Sequence, residues 1–304
     1  MSRQKRAGRF VAYSDSNGSN LPDVPQVLAS KRPAVVLAWV ILLVEPAMAA
    51  DLHVGSGQDH ATVQAAVAAA TDGDVVLVHE GTYREAVVID DLDIEIAGVG
   101  EVSEVILESD AEDGFLTFSG ASVCTVRDVT SDGLWAGRAM TLSEVSFVTV
   151  EGIVTVHTSA SAGGAIEVGT ASDLTVRHAS FGPSAASGVG GQILATASSA
   201  LHVYDSHFEQ SSAGADGGSI TVNGASLEVY GATFISNSAS SGGAVSCRNT
   251  DQCIVHDSVF TANTALAGGG GLASDKATGV SLEGNVFCSN ATTSNNKKGG
   301  ALLL

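Results

Sequence analysis

A phenylalanine returns at Phe181, Phe208, Phe234, Phe260 and Phe287, at steps of 27, 26, 26 and 27 residues. A second signature keeps the same time: a glycine pair, a small residue and an aliphatic one, in GGAI from Gly163, GGQI from Gly190, GGSI from Gly217, GGAV from Gly242, GGGL from Gly269 and GGAL from Gly299. A self-similar period of about 20–50 residues marks a stack of identical units, each burying its apolar face only against its neighbours. Thirty-five glycines and 5% aromatic residues suit thin repeating strands better than one large core.

Seven residues before each repeated Phe stands an apolar anchor, and two residues later a second: Leu174/Val176, Leu201/Val203, Leu227/Val229, Cys253/Val255 and Val280/Leu282. Weaker copies lie at Val148/Val150, Cys124/Val126 and Ile94/Ile96. Alternation with period two is that of a strand with one buried face. Three residues after the later phenylalanines come Asn237, Asn263 and Asn290; the earlier two have Ser184 and Ser211. At a strand spacing of about 4.8 Å these side chains form one polar column beside a column of Phe rings. The glycine pairs serve as corners. The fold expected is all-β: a single-stranded right-handed parallel β-helix, or solenoid, over residues 51–304. Eight anchors imply about 34 Å of stacked coils.

The N-terminal end reads as capped. Thr62 is placed as N-cap of a short helix with apolar face Val63, Ala66, Val67 and Ala70, stopped at Asp72-Gly73 and followed by a buried strand from Val75 to Val78. At the other end Leu302-Leu303-Leu304 falls inside what should be the next strand, an open apolar edge able to pair with another chain. The expectation there is a fragment, or an end that something covers.

Residues 1–50 differ in character. Basic residues (Arg3, Lys5, Arg6, Arg9, Lys31, Arg32) precede an apolar run from Ala34 to Val44, and Ala47-Met48-Ala49-Ala50 follows. This is the pattern of a leader with a secretory signal peptide, cut near Ala49 or Ala50, leaving no membrane-spanning segment; the alternative is a membrane anchor or a buried helix, against which Glu45 and Pro46 interrupt the run. Those fifty residues hold six of the 14 basic and three of the 33 acidic residues, so the remainder carries a formal charge of −22. Such a field repels nucleic acid and anionic lipid. No cofactor is expected. Calcium is the one cation the acidic pairs Asp72/Asp74, Asp90/Asp91/Asp93 and Asp110/Asp113 admit; otherwise these are solvated turn carboxylates, without an ordered ligand spacing. Cys124, Cys247, Cys253 and Cys288 do not have the spacing of a zinc site. Cys247 and Cys253 flank a turn that a disulfide would staple, or all four are small core residues.

Residues 61–89, ATVQAAVAAATDGDVVLVHEGTYREAVVI, resemble the entry to the pectin-lyase-like superfamily of right-handed parallel β-helices, with its T-[IV]-Q-x-A helix, D-G-D strand and G-x-Y-x-E turn at Gly81 to Glu85. That resemblance implies the fold and leaves activity open, since enzymes and non-enzymes share it. Residues 147–304 resemble the repeats of chlamydial polymorphic outer membrane proteins, defined by GGA[ILV] and FxxN. Both signatures occur in full here, at Gly163, Gly242 and Gly299 and at Phe234, Phe260 and Phe287. The resemblance implies a secreted or outer-membrane surface role, often adhesion. That family's translocator barrel is not within these 304 residues.

Asn249-Thr250-Asp251 matches the NTD triplet of polygalacturonases, but glycoside hydrolysis needs two carboxyls across the scissile bond, and no DD, GHG or RIK motif follows. Arg127, Arg138 and Arg177 sit in no lyase or esterase context, and no Ser-His-Asp constellation is visible. A binding face is the better expectation. Positions three after each anchor stack as Arg127, Glu151, Arg177, Tyr204, Tyr230, His256 and Glu283, beside a column of Thr125, Thr149, Thr175, His202, Glu228, Ile254 and Ser281. Arg177, His202, Tyr204, Glu228, Tyr230 and His256 together offer rings and hydrogen bonds to a polysaccharide or a host-cell ligand laid along the axis, unless they are only residue types that favour exposed strands. The function read from the chain is non-catalytic, adhesive or structural, with a polysaccharide lyase or hydrolase of the same fold as the alternative.

Overall fold

A computed structural model describes residues 48–144, 146–294 and 299–304. The leader, apart from Met48, Ala49 and Ala50, lies outside the described residues. No helix among the described residues is long and apolar enough to cross a membrane.

The chain from Asp51 onward winds into a parallel β-helix of ten coils. Its first sheet has ten strands, from Asp51–Val54 and Val75–His79 through Asp173–Arg177, Ala200–Tyr204, Ser226–Tyr230 and Cys253–His256 to Val280–Glu283. A second sheet of nine strands, Gly81–Arg84 to Val286–Cys288, and a third of nine, Val87–Asp90 to Leu302–Leu303, complete the coil, and a fourth of six short strands, Thr158–Ala160 to Ala291–Thr292, is inserted in the later coils. Every pairing is parallel, and in the first sheet the register follows the repeat: Leu174 faces Leu201, which faces Leu227, then Cys253 and Val280. The anchors point inward and are buried through Val255. Two coils precede the first anchor, Ile94, so the stack spans nine strand spacings, about 43 Å.

The Phe column is continuous. Ring centroids of Phe181, Phe208, Phe234, Phe260 and Phe287 are separated by 4.7, 5.0, 4.7 and 4.6 Å. Beside it the asparagines form a ladder in which Asn237 and Asn263 use every side-chain valence and Asn290 ends the run on the Phe260 carbonyl (2.8 Å). Asn237 Nδ2 donates to Asn263 Oδ1 (3.0 Å) in the next coil and to the Phe208 carbonyl (3.1 Å) in the previous one. Its Oδ1 accepts from the Ser211 amide (3.0 Å) and hydroxyl (2.6 Å). Asn263 repeats the pattern with Asn290 and the Phe234 carbonyl. A fully satisfied buried amide specifies register without the desolvation penalty an unpaired one would carry.

Where the repeat departs from its signature, a second departure compensates. Ser211 is too short to reach the Phe181 carbonyl as Asn237 reaches that of Phe208. In the same coil Gln192 stands where other glycine motifs have Ala165, Ser219, Ala244 or Gly271, and its Nε2 donates to the carbonyls of Phe181 (2.9 Å) and Gly182 (2.8 Å).

Both glycines of the pair are required by geometry. Gly217 has φ +60°, and a Cβ on Gly218 would enter the Gly243 carbonyl of the next coil. At the N-terminal end the helix Val63–Ala69 seals the first coil with Val63, Ala66 and Val67. Thr62 Oγ1 accepts from the Ala65 amide (3.1 Å), and Glu85 of the G-x-Y-x-E turn accepts from the Val63 and Gln64 amides (2.8 and 3.0 Å). A carboxylate at this end is favoured by the free amides and the helix dipole. Cys247 and Cys253 are joined by a disulfide inside the coil, Cα atoms 6.3 Å apart, linking a third-sheet strand to the first-sheet strand that follows.

Two consequences can be measured by denaturant unfolding. Gln192→Ala should cost about 1–3 kcal/mol by removing a buried donor, and adding Ser211→Asn should restore much of it by completing the ladder; no recovery would break the compensation. Replacing Cys247 and Cys253 by Ala together should cost about 2 kcal/mol, the loop-closure value for so short a ring.

Candidate functional site

Side chains of the first sheet alternate in and out, so residues between and beside the anchors cover its outer face. The corner after each strand is one left-handed residue, such as His178 (φ 49°), Asp205 (φ 47°) or Asp257 (φ 50°), which ends the sheet abruptly and leaves the last strand residue at a rim. Along that rim run Arg177, Tyr204, Tyr230 and His256, in register.

These four interact with one another. The Arg177 guanidinium carbon lies 4.5 Å from the Tyr204 ring centroid. Tyr204 and Tyr230 stack at 5.9 Å with 8° between planes, and His256 meets Tyr230 edge-on at 5.3 Å and 72°. His256 Nε2 also lies 3.0 Å from Ser281 Oγ. The tyrosine faces are turned on each other, so a ligand over the rim would meet ring edges and hydroxyls.

One column in, His202 and Glu228 are adjacent, Nδ1 to Oε2 at 3.2 Å. Two further residues complete a polar lattice that the sequence analysis did not single out. Asp173 lies 3.6 Å from His202 Nε2, and Gln252 Nε2 donates to Glu228 Oε1 at 2.6 Å. Both stand one residue before an anchor, and so point outward by the same parity that selected the other columns. Beyond them an open cleft of about 410 Å³ crosses five coils, from Phe147 past Asp173, Ser199, Ser226 and Thr250 to Gln252.

The lattice bears on chemistry. A glycosidase holds its two carboxyls apart with the scissile bond, and a nucleophile or a water, between them. Here the imidazole of His202 stands between Asp173 and Glu228, hydrogen-bonded to Glu228 and 3.6 Å from Asp173. The Asn249-Thr250-Asp251 turn is occupied by its own structure. Asn249 donates to Asn223 Oδ1 (2.8 Å), Thr250 Oγ1 to the Gln252 carbonyl (3.0 Å), and Asp251 Oδ1 accepts from Thr278 (3.0 Å). Burial pushes the Cys124 thiol up to about 11, which leaves it un-ionised at neutral pH.

The remaining carboxylates singled out in the sequence mostly close turns: Asp72 accepts from the Asp93 amide, Asp91 from Ala121 and Asp93 from Val123, while Asp90 accepts from the Ser119 hydroxyl and Asp110 pairs with Arg84. Among the described residues no group of three His, Cys, Asp or Glu side chains is arranged to hold a metal ion. Arg138 is buried, ion-paired with Glu167 and bonded to the Ala162 carbonyl (3.0 Å). Trp135 is 57% exposed with φ 58°, at the edge of the fourth sheet, its ring 5.1 Å from that of His157. No periodic signal marks it, because it sits in a turn of a coil that lacks a fourth-sheet strand.

No protein-family model matches the chain, and no curated protein matches it. Among solved structures it is similar to a pectin methylesterase from carrot, at 11% identity and a TM-score of 0.39 over 84% of this chain and 88% of that one. It is also similar to the ORF18 protein of Geobacillus virus E2 (11%, TM-score 0.32, 78% and 56%) and to the A-module of the Azotobacter vinelandii mannuronan C-5 epimerase AlgE4 (12%, TM-score 0.31, 79% and 93%). At these values no residue role or activity carries over to this chain.

Proposed function

We propose that the protein is exported and works at the cell surface or outside the cell as a non-catalytic β-helix that binds a linear glycan along its first sheet. The observation that supports this most directly is the cleft crossing five coils at the leading edge of the first sheet, lined by Asp173 and Gln252, with the rim Arg177–Tyr204–Tyr230–His256 at the opposite ends of the same strands. A groove parallel to the axis offers a polymer equivalent contacts at every coil. Serine hydroxyls, the Gln252 amide and the Asp173 and Glu228 carboxylates are the groups that pair with sugar hydroxyls, and tyrosine edges add apolar area with a polar tip. The resemblance of the repeats to those of surface passengers supports the location.

Charge narrows the glycan. Asp173 and Asp251 line the cleft and Glu228 is bonded to Gln252 at its edge, within a segment of formal charge −22. Like charges oppose the docking of a polyanion, so neutral or amino-sugar polymers are favoured over polyuronates. The second reading, a polysaccharide-active enzyme, draws on the Asp173–His202–Glu228 group. It requires His202 to leave the space between the carboxyls.

A panel of immobilised neutral, amino-sugar and uronate polysaccharides tests both readings, with and without calcium. The expected result is retention on neutral or amino-sugar polymers, with unchanged polymer length. Tyr204→Ala with Tyr230→Ala should weaken retention about thirtyfold, from two lost polar contacts of about 1 kcal/mol each. Unaltered retention in the double variant would remove the rim from the site, and shortened polymers would replace a binder with an enzyme.

A further inference from the structure

The first described residues enter the fold at one point. Ala50 donates its amide N–H to Asp74 Oδ1 at 2.7 Å, and its carbonyl accepts from the Val75 amide at 2.9 Å. Met48 is 91% exposed and Ala49 is exposed. Among the described residues, pairing with the solenoid begins at the nitrogen of Ala50, and that nitrogen is aimed at a carboxylate.

Asp74 is an unusual carboxylate for this chain. It is 5% exposed, whereas most of the other acids lie at the surface. Its Oδ2 is occupied by the Thr71 amide (2.8 Å) and hydroxyl (3.0 Å), while Oδ1 has Ala50 N alone. These backbone donors, Ala50 first and Thr71 second, hold its carboxyl below the ordinary value, so it is ionised at neutral pH. Yet among the described residues no Lys, Arg or His forms a salt bridge with it. A buried anion answered only by neutral donors gains from a cation placed on its open oxygen.

The sequence supplies a route to that cation. Ala47-Met48-Ala49 is an A-x-A motif, after which a signal-removing endopeptidase cuts. We propose that Asp74 is the receptor for the mature N-terminus, which is created by hydrolysis of the Ala49–Ala50 bond. Water adds across that peptide bond, Ala49 leaves with the leader as the new carboxylate, and the freed amine of Ala50 takes up a proton. An α-amine with a pKa of about 7.7–8.0 is mostly ammonium at neutral pH. The ammonium then stands where the amide N–H stood and turns one neutral hydrogen bond into an ion pair.

This rests on the reading that the chain is exported, and the experiment separates the two. The full chain is expressed in an exporting host, and the exported product is sequenced from its N-terminus. Ala50 as first residue is expected. Export with a cut at any other bond overturns this inference and leaves export standing; a chain retained uncut overturns both. The product is then melted before and after acetylation of its α-amine at near-neutral pH, where lysines stay protonated and unreactive. Acetylation should lower the melting temperature by about 2–4 °C, and the Asp74→Asn protein should show no such drop. An equal drop in both proteins, or none in either, overturns the pairing. Because each protein is compared with its own acetylated form, the general cost of Asp74→Asn cancels.

Discussion

A carboxamide that gives and takes hydrogen bonds along one axis holds the later coils in register. Asn237 and Asn263 each fix their coil against two others, through the Oδ1 of the next and the Phe carbonyl of the last. A one-residue slip of any coil would leave a buried amide unpaired and turn every anchor outward. The Phe rings alone could not do this, because stacked rings slide at small cost, whereas an amide ladder does not. Apolar burial therefore supplies the cohesion of the stack, and the amides supply its uniqueness.

The ladder ends at Ser211, and the interior changes there. Toward the N-terminus the Phe column is continued by Thr155 and Ser131, and the Asn column by Ser184 and Thr158. Bulk is supplied instead from the third sheet and the turn before it, by Phe115, Leu116, Phe118, Met140 and Leu142, all buried. Gln192 stands at this boundary and serves the last Phe carbonyl that the ladder cannot reach. The two halves thus share a backbone path and fill it by different means.

That division explains what could be read from the chain. Interior positions repeat because each faces the same position one coil away, so the anchors, the Phe and Asn columns and the glycine corners stand out at a period of 26–27 residues. The capping helix is legible for a different reason, its local N-cap and apolar spacing. The short fourth sheet is not, since its strands of two to five residues, mostly Ser, Ala and Thr, carry no alternation of their own. Outward residues follow only parity. Parity places Arg177, Tyr204, Tyr230 and His256 on one rim, yet it cannot say that the tyrosine faces are spent on one another. Asp173 and Gln252 have the same parity and escaped notice because each precedes the strand pattern instead of lying within it.

The outer face is free to vary because the interior is not. Nothing in the register depends on His202, Glu228 or Gln252, so what they hold in common points away from folding. Three polar side chains and Asp173 have been drawn into mutual contact on a surface where water would have satisfied each of them separately. Ordering long side chains costs rotamer entropy that exposed ion pairs barely repay. A preordered lattice is offset when a ligand meets groups already in place, since the entropy of fixing them is not lost again on binding. The same order works against hydrolysis, which needs one carboxyl poised to give a proton and the other free to act on the sugar ring or a water. An imidazole hydrogen-bonded to Glu228 and lying between it and Asp173 occupies the space that a sugar ring or a water would have to enter, so hydrolysis at this group would first require His202 to move.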